Sequence, residues 1–452
     1  MIAPARLAAY ECLLALSAGR GDLATTLEQA RLRLDDLRDR ALLTEIAVGV
    51  QRWRALLDHL VASFSRRRLD QLDPEVVEVL RLSVYQLLYL SRVPAAAVVD
   101  DAVKLVGRSG KKSAGGFVNA VLRSISRKRL ALPLPTRPLT TSDKAAAVDY
   151  LSTTLSHPPW LVRRWLDRLG FEATERWLQF NNAPGALTLR ANTIRITGEA
   201  LRAKLSSRGL HSQPARYAPD GLLIDRGDRQ TLAELENLQG QFVVQDEASQ
   251  LLTLLAGLHP GRDVLDTCAA PGGKTTALAA ADPTARIVAC DVRNRRIQVL
   301  RRTITEAGAV NVRVVQADLL QPLPFGRAFD CVFVDAPCSG LGTLRRDPDL
   351  KWRRQESDLG ELARLQGRML AHAAGAVRPG GRLIYATCSS EPEENEQVAK
   401  NFEQRGGFRR IDARTVHPAL DASLVDAEGA LHTNPIAHDL DAFYGAVFEC
   451  TA

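Results

Sequence analysis

The sequence predicts an α/β protein in which a Rossmann-like domain follows an all-α bundle and a small α+β subdomain. At 452 residues the chain is too long for one ordinary core, so several domains are expected. Residues 1–130 keep a three-to-four spacing of apolar side chains and show no alternating β pattern. After Gln245 short strands alternate with helices, which predicts a parallel sheet covered by helices on both faces.

The helical spacing is clearest in two stretches of the N-terminal part. They consist of Leu42, Ile46, Val50 and Trp53, and of Val77, Leu80, Val84, Leu87 and Leu88. We therefore expect an all-α domain over residues 1–130. The proline-rich stretch 132–138 breaks the periodicity and predicts a linker over residues 131–155.

Residues 156–240 form a shorter mixed segment. Trp160–Leu169 and Glu199–Ser207 have helical patterns, and Ala186–Thr193 has the pattern of a strand. We expect a small α+β subdomain of the kind that holds a substrate.

Residues 241–452 carry the alternating pattern. The strand candidates are Val264–Asp266, Arg286–Cys290, Val312–Val315, Asp330–Val334 and Arg382–Ala386. The helix candidates are Lys274–Ala280, Asn294–Ala307 and Leu359–Ala374. Ligands of such folds bind beyond the carboxyl ends of the strands, so the functional residues are expected there.

Composition and charge narrow the class of protein. With 46% apolar and 25% charged residues, and no apolar run of roughly 18 residues, we expect a cytoplasmic protein that does not contact membrane. The formal net charge is +7, and the excess lies in residues 1–130, which hold 21 Lys and Arg against 14 Asp and Glu. A phosphate-rich partner fits this distribution, although solvated helix faces would give the same basic runs.

Seven cysteines occur without a C-x-x-C pair, which argues against a disulfide framework and against a zinc or other metal site. Four lie inside apolar runs and are expected to be buried and inert: Cys12, Cys290, Cys331 and Cys450. The other three follow predicted strands, in turns where a thiol can carry chemistry: Cys268, Cys338 and Cys388.

The first strand of the C-terminal domain ends in a glycine-rich turn. Residues Asp266–Thr275 read DTCAAPGGKT and lead into a helix. Glycines let the backbone approach a ligand, and a helix N-terminus offers unpaired amides to an anionic group. Cys268 stands where a P-loop needs its first glycine, and G-x-G-x-x-G is absent, so neither NTP hydrolysis nor hydride transfer is favoured.

Aspartates follow the next three strands, at Asp291, Asp318 and Asp335. Asp291 comes 19 residues after Gly272, where an acidic residue typically holds ribose hydroxyls. Three such carboxylates suit a ligand with hydroxyls, an amino group and a positive centre. Each aspartate taken singly is also explained as a helix cap or turn former, but together they favour a cofactor site.

Two thiols follow the fourth and fifth strands, at Cys338 and Cys388. If these strands are neighbours, ~4.8 Å apart, both thiols lie at one edge of the cofactor pocket. A thiolate that adds to carbon 6 of cytosine makes carbon 5 able to take a methyl group from a sulfonium. A second group then helps to release the methylated base from the thiol. A structural cysteine in a turn is the alternative for each, and spacing does not decide which thiol attacks.

Two polar clusters flank these thiols. Ser390 and Glu393 predict a capping box with Pro392 in the first helical turn, and we assign this acidic cluster no catalytic role. The other cluster either grips RNA phosphates or forms a solvated loop, and it consists of Arg345, Arg346, Lys351, Arg353 and Arg354.

These motifs closely resemble those of the RNA 5-methylcytosine methyltransferases of the Sun/Nop2 type. Residues 266–275, 334–343 (VDAPCSGLGT) and 385–390 (YATCSS) resemble the cofactor loop, the Pro-Cys motif and the Thr-Cys motif of that family. Residues 242–249 (FVVQDEAS) resemble the segment that precedes its cofactor domain. Residues 38–53 and 117–123 look like the NusB-type RNA-binding helical domain, so the resemblance spans nearly the whole chain.

The resemblance implies an RNA (cytosine-C5-)-methyltransferase that uses S-adenosyl-L-methionine. It makes Cys388 the nucleophile, lets Cys338 assist release of the methylated base, and lets Asp335 hold that base. It assigns cofactor contacts to Cys268, Ala269, Ala270, Pro271, Gly272, Gly273, Lys274, Asp291, Asp318 and Asp335. It also implies that the partner is 16S rRNA before subunit assembly. We further expect the protein to be a monomer.

Two other functions stay open at this point. One is the same chemistry on transfer RNA, against which the helical domain counts. The other is a non-catalytic RNA-binding assembly factor, against which the intact thiols, Lys274 and the three aspartates count.

Overall fold

A computed structural model describes residues 2–139, 143–224, 235 and 237–451 of the chain. These residues divide into two compact units. The first comprises Met1–Pro184 and Leu344–Arg354, and the second comprises Gly185–Thr343 and Gln355–Ala452. None of the described helices is long and apolar enough to cross a membrane.

The first unit is built from helices. Its first six are α1 (Pro4–Ser17), α2 (Leu23–Arg31), α3 (Leu37–Ser65), α4 (Pro74–Tyr89), α5 (Ala95–Arg108) and α6 (Gly115–Arg127). They are followed by α7 (Lys144–Asp149), a π-helical turn (Tyr150–Thr154), α8 (Pro159–Leu169) and α9 (Phe171–Asn182). The all-α prediction for the N-terminal part is confirmed.

The apolar stripes of α1 to α6 meet in one core. Ile46 and Val50 of α3 are fully buried, as their spacing predicts. At Gly49 a Cβ atom would lie 1.9 Å from the Tyr85 ring of α4. Glycine at this position therefore allows α3 and α4 to pack closely.

The second unit begins with a small antiparallel sheet. Its strands are β1 (Leu187–Ala191), β2 (Ser212–Pro214), β3 (Gly221–Ile224) and β4 (Phe242–Val244), in the order β2-β3-β1-β4. Helix α10 (Gly198–Ser207) contributes Leu201 and Leu205 to the core of this part. The predicted strand and helix of this α+β segment are both present.

The rest of the chain forms a larger α/β arrangement. Its strands are β5 (Asp263–Asp266), β6 (Arg286–Asp291), β7 (Val312–Gln316), β8 (Phe329–Asp335), β9 (Val377–Thr387), β10 (Phe408–Ile411), β11 (Leu431–His432) and β12 (Tyr444–Cys450). Its helices are α11 (Glu247–Leu254), α12 (Gly273–Ala281), α13 (Asn294–Ala307), α15 (Glu356–Ala374), α16 (Glu396–Glu403) and α17 (Pro435–His438). The short helix α14 (Leu350–Arg353) also falls in this stretch of the chain but belongs to the first unit.

The main sheet has the strand order β10-β12-β9-β8-β5-β6-β7. Strands β5 to β9 pair in parallel, so all five predicted strands are present and the predicted parallel sheet is confirmed. Strand β12 lies between β9 and β10 and is antiparallel to both, which the sequence pattern did not predict.

Helices cover both faces of this sheet, as predicted. Val264 of β5 packs in the core that includes α11 to α13, and the next residue, Leu265, packs in the core that includes α15 and α16. This alternation follows from the two-residue period of a strand. Because β5 to β9 run in parallel, their carboxyl ends lie at one edge of the sheet, and the chemistry-bearing residues follow there.

Candidate active site

The glycine-rich loop between β5 and α12 approaches α13 closely. Gly272 has φ +113°, in the left-handed region that favours glycine, and a Cβ atom there would lie 3.1 Å from side-chain atoms of Leu300 and Thr303. The Ala270–Pro271 peptide bond is cis. The loop therefore presents mainly backbone at the carboxyl end of β5, directly before the unpaired amides of the α12 N-terminus.

Asp266, at the start of this loop, stabilises it through a hydrogen bond to its other end. The Thr275 hydroxyl donates a hydrogen bond of 2.7 Å to Asp266 Oδ2, so the two ends of the loop are joined. Asp266 is almost fully buried, and this burial raises its pKa to about 7.

Asp291, at the end of β6, is tied to the same loop. Its Oδ2 atom accepts a hydrogen bond of 3.3 Å from the Ala270 amide and lies 3.3 Å from Arg296 Nε. Arg296 Nη2 in turn donates to the Ala270 carbonyl at 2.6 Å. The structure thus brings a buried carboxylate next to the glycine-rich turn.

Asp318, after β7, makes the contact expected of a turn former. Its Oδ1 atom accepts a hydrogen bond of 2.9 Å from the Leu320 amide. The side chain is half-buried, so part of it also remains accessible to a ligand.

Asp335, at the end of β8, pairs with Lys274 of the glycine-rich segment. Lys274 Nζ lies 2.7 Å from Asp335 Oδ2. Burial acts against the charge of Lys274, but the Asp335 carboxylate outweighs it, and the pKa of Lys274 is raised. Lys274 therefore stays positively charged at neutral pH and holds Asp335 in place.

The two thiols lie side by side. Strands β8 and β9 are neighbours, with Asp335 opposite Ala386, and the Cys338 and Cys388 sulfur atoms are 3.2 Å apart. The hydrogen bond to Cys388, together with burial, raises the pKa of Cys338 well above its usual value. The expected pairing of these two strands is confirmed, and their thiols lie close together.

Backbone contacts fix the loops that carry these thiols. The Gly342 amide donates a hydrogen bond of 3.0 Å to the Cys388 carbonyl, and the Ala442 amide donates one of 2.9 Å to the Gly342 carbonyl. A Cβ atom at Gly342 would lie 1.9 Å from the Ala442 carbonyl oxygen. Only glycine fits at this crossing of three segments.

The acidic segment after Cys388 differs from its prediction. Helix α16 begins at Glu396 and its N-cap is Asn395, so the expected capping box of Ser390 and Glu393 is wrong. Glu394 is fully buried and accepts hydrogen bonds from both thiol-bearing loops. The contact with the Ser339 amide joins residues 55 positions apart, so no local sequence pattern predicts it.

Among the basic residues that follow the Cys338 loop, Lys351 differs from the prediction, whereas Arg346 and Arg353 are exposed. Lys351 belongs to the first unit and is fully buried, and its Nζ atom donates to the Arg52 and Ser156 carbonyls and to Asn182 Oδ1. Burial lowers its pKa well below the usual value. A role for Lys351 in gripping phosphates is therefore wrong, because its ammonium group is enclosed by protein acceptors.

The remaining cysteines behave largely as expected. The four in apolar runs are buried: Cys12, Cys290, Cys331 and Cys450. Cys268 lies in the glycine-rich loop, where burial raises its pKa, so its thiol stays protonated at neutral pH.

The Rossmann-like sheet, the glycine-rich loop and the carboxylates at successive strand ends define an S-adenosylmethionine-dependent methyltransferase. Residues 253–449 match the family described as 16S rRNA methyltransferase RsmB/F, residues 3–127 match the NusB family, and residues 157–229 match the ferredoxin-like domain of RsmF/B-like methyltransferases. The ribosomal RNA small subunit methyltransferase B of Pseudomonas putida is 34% identical over 91% of each chain. The chain therefore belongs to the RsmB/F family.

Other similar proteins cover most of the chain as well. A putative methyltransferase of Mycobacterium tuberculosis is 34% identical over 99% of this chain and 96% of its own length. The crystal structure of PH0851 is 25% identical, covers 99% of both chains and has a TM-score of 0.81. The structure of NSun6 from Pyrococcus horikoshii with SFG shares the fold, with a TM-score of 0.57 and 21% identity over 67% of this chain and all of that one.

Proposed function

We propose that this protein methylates carbon 5 of a cytidine in 16S rRNA, with Cys388 as nucleophile and S-adenosyl-L-methionine as methyl donor. The observation that carries the proposal is the 3.2 Å distance between the Cys338 and Cys388 sulfur atoms at the ends of two neighbouring strands. Thiols this close can reach the same pyrimidine ring, one to attack it and one to assist release. The family description and the names of the curated relatives support 16S rRNA as the substrate.

The residues around the glycine-rich loop fit the methyl donor. The left-handed φ of Gly272 and its close approach to α13 disfavour a side chain there, so the backbone of the loop is open to the ligand at this point. The Asp291 carboxylate suits ribose hydroxyls, while Asp318 and Asp335 suit an amino group and a positive centre. When bound, the donor supplies an electrophilic methyl group.

The protein's own contribution is covalent catalysis. The Cys388 sulfur forms a bond to carbon 6 of cytosine, and the displaced electron pair makes carbon 5 nucleophilic. Carbon 5 then accepts the methyl group. Loss of the carbon 5 proton to a base restores the ring double bond and expels Cys388, and Cys338 assists this release.

The electrostatics of the thiol pair support this allocation of roles. The hydrogen bond to Cys388, burial and the nearby Glu394 carboxylate all raise the pKa of Cys338. Cys338 therefore keeps its proton at neutral pH, so it is the less suitable of the two sulfurs for attack on the ring. Asp335, held by Lys274, is assigned to the target base as well as to the cofactor.

We assign RNA binding to residues 1–130 and 156–240, joined by a linker over 131–155, and catalysis to residues 241–452. Several cations of the helical part are exposed: Arg66, Arg67, Arg127, Lys128 and Arg129. The Arg67 guanidinium lies 5.2 Å from the centre of the Phe117 ring, which links the end of α3 to α6. Such exposed cations suit phosphate groups.

Bisulfite sequencing tests the substrate. In a strain that lacks the gene, we expect one cytidine of 16S rRNA to lose its resistance to bisulfite. Wild-type protein should restore this resistance, and Cys388→Ala should not. A signal lost from transfer RNA instead would assign that substrate, and unchanged RNA would favour a non-catalytic assembly factor.

A further inference from the structure

A buried carboxylate lies between the two thiol-bearing loops. Glu394 Oε1 accepts a hydrogen bond of 2.8 Å from the Ser339 amide, and Oε2 accepts one of 2.6 Å from the Ser389 hydroxyl. Ser339 directly follows Cys338, and Ser389 directly follows Cys388. One side chain therefore holds the residue next to each sulfur.

Helix α15 and strand β9 support this carboxylate. Gln366 Nε2 donates to Glu394 Oε1 at 2.9 Å and also to the Pro337 carbonyl at 3.1 Å, one residue before Cys338. The Tyr385 hydroxyl donates to Gln366 Oε1 at 3.1 Å. Glu394, Gln366 and Tyr385 are all fully buried, so packing restricts their rotamers.

A direct contact closes the network between the loops. The Ser339 and Ser389 hydroxyl oxygens are 3.1 Å apart, and the Glu391 amide donates to Ser389 Oγ at 3.1 Å. Hydrogen bonds to a carboxylate are shorter and stronger than those between neutral groups. Glu394 is thus the strongest acceptor that the two loops share.

We propose that Glu394 is a positioning residue that sets the spacing of the Cys338 and Cys388 sulfur atoms. This role rests on the covalent mechanism proposed above, and it adds a residue that does not itself touch substrate. Misplacement of a catalytic group by 1 Å costs on the order of a hundredfold in rate. A side chain that fixes two reacting sulfurs therefore acts on turnover more than on substrate binding.

Two substitutions of Glu394 separate the effect of its hydrogen bonds from the effect of its side-chain volume. Glu394→Gln can still accept from the Ser339 amide and Gln366 through its oxygen, while its amide donates to Ser389 Oγ. Glu394→Ala removes all three hydrogen bonds and leaves a cavity. Glu393→Ala is the matched control, because it removes the same charge at a half-buried neighbour.

Thiol spacing is measured without RNA by titration with phenylarsine oxide. Its arsenic atom bonds two adjacent sulfurs, with the two thiol protons leaving in one water molecule. We expect the wild type to bind one equivalent tightly, and Cys338→Ser and Cys388→Ser to lose this binding. Glu394→Ala should bind at least tenfold more weakly, whereas Glu394→Gln and Glu393→Ala should match the wild type.

Methyl transfer by the same full-length variants completes the test. For Glu394→Ala we expect kcat to fall about a hundredfold, with the KM values for RNA and methyl donor within a few-fold of wild type. Glu394→Gln should recover most of this loss. Wild-type arsenical binding and kcat in Glu394→Ala would overturn the positioning role.

Two further outcomes distinguish the positioning role from misfolding and from failure of the proposed function. If Glu394→Ala does not fold, Ser389→Ala removes one arm of the same bridge, and unchanged arsenical binding and kcat there would overturn the role. If wild-type protein binds the arsenical but methylates no cytidine, the proposed function fails while the positioning of the thiols stands.

Discussion

Cys338 and Cys388 differ in their surroundings although their sulfur atoms are 3.2 Å apart. The hydrogen bond shared with the Cys388 sulfur, burial and the nearby Glu394 carboxylate raise the pKa of Cys338, so its thiol keeps its proton. Cys388 lies near the Lys274 ammonium group, which is paired with Asp335. The division of roles that we propose for the two cysteines rests on this difference in surroundings.

Substitution of Cys338 tests the division of roles. On the proposed mechanism, Cys338→Ala leaves the attack by Cys388 intact and slows the release of the methylated base. We expect a protein–RNA species that survives a denaturing gel, together with multiple turnover reduced by at least tenfold. Absence of that species, with normal turnover, would remove Cys338 from the release step.

At the level of elements, the site depends on the loops that follow β8 and β9. Backbone hydrogen bonds join these loops to each other and to the segment that contains Ala442. Gly342, in the loop that follows Cys338, packs against the backbone carbonyl groups of Cys388 and Ala442. Backbone atoms surround this glycine, so an added methyl group cannot be accommodated by a side-chain movement.

We expect Gly342→Ala to destabilise the protein by about 1 to 3 kcal/mol and to displace the Cys388 loop, with loss of methyl transfer. Thermal unfolding and activity measure the two effects. Gly360→Ala is the control, because it lies inside α15 with open space around it, and alanine favours a helix there. Equal melting temperatures for Gly342→Ala and wild type would contradict the close packing.

The sequence predicted the elements whose signals are local. The five parallel strands, the glycine-rich loop and the thiols after β8 and β9 follow from short apolar runs that end in turn residues. Strand β12 was missed because its position is set by pairing with β9, far away along the chain. The contacts of Glu394 and Lys351 were missed for the same reason, since charged residues in a predicted cap or loop are normally exposed.

A buried histidine of the first unit makes its stability depend on pH. His157 Nδ1 donates to the Leu155 carbonyl at 2.7 Å, and the Asn181 side-chain amide donates to His157 Nε2 at 3.3 Å, which suits the neutral ring. Burial, with the nearby Lys351, lowers the pKa of His157 well below 6.5. Its contribution is complete above pH 6.5 and is lost as the pH falls, because the unfolded chain then takes up a proton that the folded chain does not.

We therefore expect the free energy of unfolding to fall between pH 7 and pH 5, with His157 contributing about 2 kcal/mol of the change. Urea titrations at both pH values measure this change. His157→Gln should reduce the pH dependence, even if it lowers stability at pH 7. An identical pH dependence in the variant and wild type would show that His157 is not the group responsible.

At the scale of the whole molecule, positive charge is distributed unevenly along the chain. The excess of positive charge lies in residues 1–130, while the rest of the chain holds equal numbers of acidic and basic residues. Several arginines and lysines of residues 1–130 are exposed, among them Arg66, Arg67 and Arg127.

Neutralising Arg66, Arg67 and Arg127 together tests whether the exposed cations bind RNA. Each phosphate contact that is lost should reduce the slope of log affinity against log salt by about 0.7 to 0.9. The control replaces Arg302, Arg409 and Arg414, which are paired with acidic residues. Equal salt slopes for both triple variants would show that the chosen cations do not contact phosphate.

The most direct test uses RNA that carries 5-fluorocytidine at the target position. Fluorine at carbon 5 cannot leave as a proton does, so the enzyme stays bound to the ring after methyl transfer. We expect a covalent adduct that requires the methyl donor, that mass spectrometry locates on Cys388, and that Cys388→Ala does not form. An adduct on another residue, or normal methyl transfer by Cys388→Ala, would contradict the mechanism.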